Sequence, residues 1–192
     1  MRNAGTWFSV LCCSAISVFA VSCSVPSRNA APVGPEKQIV AETSRLAEEQ
    51  FTLGRFKKSL EIYAQAYDKY HLKGLRRGYL RLSERIRNAA DAAYQRKDFA
   101  EAGSNYHLLF ENGVTTRDFA QSLTFDDAYL GAQIAACSRS LTEIGLMKYR
   151  EEKLEEAITH WKQVIAFDAN NKVVMDAIHR ATIQLQQLNA IK

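Results

Sequence analysis

The segment GLMKYREEKLEEAITHWKQVIAFDANN, residues 145–171, carries a helical pattern. It sets a small residue at Gly145, an aromatic ring at Tyr149, and Leu154 five residues later. Ala157 and Trp161 then follow at steps of three and four. Such steps keep side chains on one helical face. The same series occurs twice upstream. AEEQFTLGRFKKSLEIYAQAY from Ala47 carries Phe51, Phe56, Ser59 and Tyr63, and ADAAYQRKDFAEAGSNYHLLF from Ala90 carries Tyr94, Phe99, Ala102 and Tyr106. Between the ring and the residue five places on, the first copy has Gly54 where the others have Lys97 and Glu152.

Three copies in register resemble the tetratricopeptide repeat (TPR), a pair of antiparallel helices joined by a tight turn. The resemblance implies that small residues sit where helices cross closely and that large ones fill the holes between repeats. The third copy also carries the family's helix ending, with Ala169 where proline is usual. The small crossing residues fall at 59, 102 and 157, so the copies are 43 and 55 residues apart, against roughly 34 in that family. The extra length is assigned to a long helix over residues 74–97, with Leu75, Tyr79, Leu82 and Ile86 on its apolar face, and to a loop over residues 112–123. Thr124 with Asp127 is expected to cap the helix after that loop. Beyond Asn170-Asn171 a last helix is expected to cover the open end of the stack. The fold class is therefore all-α: a short α-solenoid of TPR-like hairpins with a C-terminal capping helix.

Upstream of the repeats the composition changes. All three prolines fall at positions 26, 32 and 35, within a stretch rich in Ser, Ala and Gly that cannot bury a core. Before it, Met1-Arg2 leads into an apolar run, WFSVLCCSAISVFAVS (Trp7–Ser22), shorter than the roughly 20 residues of a spanning helix and patterned as an export signal. The tetrapeptide AVSC at Ala20–Cys23 resembles the lipobox of bacterial lipoproteins, with Ala20 in place of the usual Leu. That resemblance implies cleavage before Cys23 and acylation of its thiol and amino groups. Several acyl chains anchor a protein stably where one does not. Ser24 after the cysteine implies, by the same resemblance, delivery to the outer membrane. The expected organisation is a signal peptide over 1–22, a lipidated N-terminus and tether over 23–38, and a helical repeat domain over 39–192.

The whole chain carries a net charge of +4. Loss of the signal removes one basic residue, Arg2, and leaves +3, too mild a balance for nucleic acid. Of four cysteines, Cys12 and Cys13 lie in the signal and Cys23 at the lipid site, so Cys137 stands alone and is expected to be buried and inert. His71, His107, His160 and His179 form no metal-ligand spacing. No nucleophile elbow, phosphate loop or dinucleotide fingerprint occurs, so neither catalysis nor a cofactor is expected. Arg77, Arg81 and Arg85 recur every four residues. They are read as a solvated helix face, with docking onto lipid head groups or an acidic partner as the alternative.

The function expected is that of a lipid-anchored, periplasm-facing scaffold or assembly factor at the outer membrane, binding other envelope proteins through the concave repeat face. The resemblance implies this role, since small lipoproteins of similar architecture serve as pilotins for secretin rings and as accessory subunits of β-barrel insertion. The partner face is placed at Phe51, Tyr94 and Tyr149, with Arg87 and Asp91 adding polar contacts; packing within each hairpin is the competing role for the three rings. A regulator or adaptor of a peptidoglycan-acting enzyme is a second class, and a small-ligand carrier a third. The carrier requires an apolar pocket with converging polar groups, which the sequence does not offer.

Overall fold

A computed structural model describes residues 34–190, with the exception of Phe119. The expected signal peptide, Cys23 and most of the tether lie outside these residues. The described chain is all-α. Its helices are α1 (Pro35–Thr52), α2 (Phe56–Tyr70), α3 (Lys73–Gln95), α4 (Phe99–Glu111), α5 (Asp127–Arg150), α6 (Leu154–Ile165) and α7 (Lys172–Ala190), with one 3-10 turn at Ala120–Ser122. Pro35 occupies the first helical position of α1, where its missing N–H has no intrahelical partner to lose. Residues 35–38, assigned above to the tether, are thus helical. After Pro35 no proline interrupts the chain.

Each helix packs on the next in sequence, and α1 also reaches α3, as α4 reaches α6. The three aligned copies correspond to the pairs α1/α2, α3/α4 and α5/α6. Their turns share one hydrogen-bonding pattern. Gly54, Lys97 and Glu152 hold left-handed backbone, with φ of 71°, 63° and 61°. The N–H of the following residue reaches back to Gln50, Ala93 or Lys148, each at 2.9 Å. This is the Schellman closure, which satisfies carbonyls at a helix end and reverses the chain.

The crossing residues are sealed. Ser59, Ala102 and Ala157 are all 0% exposed, and the Ser59 hydroxyl donates to the Ala47 carbonyl of the facing helix at 2.6 Å. Gly145 meets Trp161 so closely that an added Cβ would lie 2.3 Å from the indole Nε1. Gly103 plays the same part between hairpins, where a Cβ would lie 2.6 Å from the Phe167 ring. Leu75, Tyr79, Leu82 and Ile86 are buried along α3, as their spacing indicates.

The irregular repeat intervals have a physical origin in α3, α5 and the segment between α4 and α5. Helices α3 and α5 run to 23 and 24 residues, while α4 and α6 have 13 and 12. The 112–126 segment is held down by Val114 and Phe125, both buried, and by Arg117, which donates to Asp68 at 2.8 Å. One local expectation is corrected here. The cap of α5 is Asp126, whose carboxylate accepts from the Tyr129 N–H at 2.7 Å. Thr124 turns away instead: its N–H and hydroxyl both donate to Glu84 of α3, at 2.6 and 2.8 Å. Asp127 accepts from the Thr115 hydroxyl. The long-range carboxylate captures Thr124, and the extended backbone of Asp126 leaves that residue placed to cap.

Candidate functional site: a basic groove between α1 and α3

Helices α1 and α3 diverge enough to leave a groove of about 660 Å³. One wall is the stripe of Arg77, Arg81 and Arg85, which the four-residue spacing puts on a single face of α3. The opposite wall is α1, with Arg45 and Glu48; Ser44, Tyr63 and Gly78 also line the space. Tyr63 comes from α2, and its hydroxyl donates to the Ser44 hydroxyl at 3.1 Å. The ring lies so close to α3 that a Cβ on Gly78 would fall 2.2 Å from it. The glycine therefore lets α2 fill the base of the groove.

The charges in this groove are not equivalent. Arg85 grips Glu48 with two hydrogen bonds of 2.5 and 2.9 Å and lies 3.9 Å over the Phe51 ring. Its hydrogen bond holds the Glu48 carboxyl below the usual carboxylate range. Arg45 is engaged by Glu42 at 2.7 Å and by Glu49 at 3.6 Å. Arg77 and Arg81 are exposed and make no ion pair among the described residues. With Glu48 neutralised by Arg85, those two guanidiniums set the sign of the groove. The four-residue spacing was legible in the sequence; the facing wall and the pairing of Arg85 were not, because they come from α1 and α2.

The residues assigned to a partner face from sequence do not line this groove. Phe51 packs on Phe56 across its own turn at a ring separation of 4.9 Å, and Tyr94 on Phe99 at 5.3 Å. Tyr149, whose fifth following residue is Leu154, packs on Trp161 at 5.9 Å. All three rings are half-buried. No ring contact joins one of them to another among the described residues. Tyr149 keeps a free edge for α7, donating its hydroxyl to Gln184 at 2.7 Å.

Arg87 and Asp91 come together in a polar knot that ties three helices. Asp91 accepts from Arg87 at 2.5 Å, from Tyr106 of α4 at 2.6 Å and from Tyr129 of α5 at 2.8 Å. Arg87 also donates to Glu84 at 3.2 Å, the same carboxylate that holds Thr124. Burial works against ionisation of Asp91, yet the hydrogen bonds from the two tyrosines and Arg87 outweigh it and leave its carboxyl below the ordinary range. Burial, reinforced by Asp91, pushes the Tyr106 and Tyr129 phenols up. Tyr129, Glu84 and Thr124 carry no local sequence signal for this knot, since they meet only when α3 and α5 pack around α4.

Cys137 is buried, and burial pushes its thiol up to about 11, so little nucleophilic thiolate forms at neutral pH. Among the described residues, no group of three or more His, Cys, Asp or Glu side chains is placed to hold a metal ion. No helix among them is long and apolar enough to cross a membrane. No protein-family model matches the chain, and no curated protein matches it either.

Proposed function

We propose that the chain is a lipid-anchored envelope protein of tetratricopeptide-repeat type, acting as a binding scaffold or assembly factor for other proteins at the periplasmic side of the outer membrane. The observation that carries the repeat reading is the threefold turn: the same left-handed residue, the same back-bonds and the same buried crossing residue at three aligned positions. Stacked hairpins present extended surfaces suited to protein segments. The anchor is Cys23, behind an apolar leader and ahead of a proline-rich spacer. In this reading the protein works by holding partners, without chemistry of its own.

The test is fractionation and cross-linking in a Gram-negative host that produces the tagged full chain. Wild type is expected in the outer-membrane fraction, cross-linked to a reproducible protein partner. Cys23→Ser should move the chain to the soluble fraction. Quantitative membrane retention of Cys23→Ser overturns the anchor, and an absence of any specific cross-linked protein overturns the scaffold.

A further inference from the structure

We propose that the α1–α3 groove is a binding site for an extended acidic segment of a partner protein, with its carboxylates held by Arg77 and Arg81. The inference rests on the scaffold reading above and adds the chemistry of the partner. Three observations converge on it. The groove is charged but not self-neutralised, because Glu48 is already gripped by Arg85 while Arg77 and Arg81 have no ion-pair partner among the described residues. Guanidinium forks match carboxylates in a paired geometry and are more weakly hydrated than ammonium groups, so they suit such a contact.

The second observation is spacing. Residues four apart on α3 rise about 6 Å along the helix. Same-side residues of an extended chain recur at about 6.6–6.8 Å. Neighbouring arginines of the stripe can therefore address alternate side chains of one extended segment laid along the groove. The third observation is shape. Tyr63 and Ser44 close the base, and α1 raises a facing wall that bears Arg45 and Glu48. A narrow strand fits between such walls. A flat membrane surface would lie across the two walls without entering between them.

The probe is a fluorescein-labelled alternating Glu-Ala peptide, followed by anisotropy with the full chain at low and physiological salt. Binding is expected to weaken roughly tenfold or more in Arg77→Gln/Arg81→Gln and to fall with salt. The Gln-Ala counterpart should not bind. Lys57→Gln/Lys58→Gln, which removes the same charge from exposed positions of α2, should bind as wild type does. Both arginines are exposed, so the double variant should melt like wild type, and its melt is recorded. Equal loss in the two double variants, binding of the Gln-Ala peptide, or no peptide binding at all overturns the proposal. So does capture of phosphatidylglycerol vesicles in place of the peptide. If the cross-linked envelope partner persists while the peptide fails, the groove chemistry falls and the scaffold stands.

Discussion

Lys97 and Glu152 hold a backbone conformation that glycine, present at Gly54 in the first copy, adopts without strain. The left-handed region costs an L-residue roughly 1–2 kcal/mol through its Cβ, while glycine's extra chain freedom in the unfolded state costs about 0.5–1 kcal/mol. The difference favours glycine. Lys97→Gly and Glu152→Gly should each stabilise the fold by roughly 0.5–1 kcal/mol, a rise of about 1–4 °C in Tm. Both side chains are exposed, and neither makes an ion pair among the described residues, so each variant tests the backbone alone. Unchanged or lower melting temperatures for both variants would mean that the turn strain is relieved elsewhere. At the same scale, the sequence located all three turn positions from the alignment alone, but a lysine and a glutamate give no local sign of positive φ.

At the scale of elements, the Asp91 knot decides how α3, α4 and α5 are clamped. Its carboxyl is held below the range it has in the unfolded chain, so its stabilising contribution is present at neutral pH. That contribution is lost as pH falls below about 4, the unfolded value, and on through the folded one. Asp91→Asn should cost about 1–3 kcal/mol at pH 7, since it weakens charge-assisted bonds from Arg87, Tyr106 and Tyr129. Urea denaturation at pH 7 and at pH 3 compares wild type with this variant. The gap between them should narrow at the lower pH; a gap of the same size at both would show that the ionised carboxylate contributes nothing. The sequence reading placed Arg87 and Asp91, one turn apart on the helix, among the polar contacts of a partner face. The tyrosines that Asp91 meets, Tyr106 and Tyr129, lie on other elements, so the knot could not be read from spacing.

Across the whole molecule, burial is concentrated in the middle of the helix order. Helix α3 contributes seven buried residues, whereas α1 contributes only Thr43 and Ala47 and α7 only Val174 and Ala181. In an array where each unit leans on its neighbours, terminal units have one interface fewer and open more readily. Native-state hydrogen exchange should give the slowest amides in the interior of α3. The C-terminal half of α7 should open with a free energy lower by at least about 1–2 kcal/mol. Uniform protection from α1 to α7 would instead mark the helices as one all-or-none unit.

The sequence by itself determined the helical class, the three hairpins and their sealed crossings, because these follow from local terms. Apolar steps of three and four, small residues at fixed offsets and the confinement of proline to positions 26, 32 and 35 are all visible along the chain. It also displayed the stripe of Arg77, Arg81 and Arg85 but not its surroundings. Only the tertiary structure decided that α1 stands across from that stripe, that Glu48 occupies Arg85 alone, and that Glu84 draws Thr124 away from capping α5. Those outcomes depend on contacts between residues 37 to 40 positions apart. Chain spacing encodes which face a side chain occupies on its own helix, and packing alone decides which face it meets.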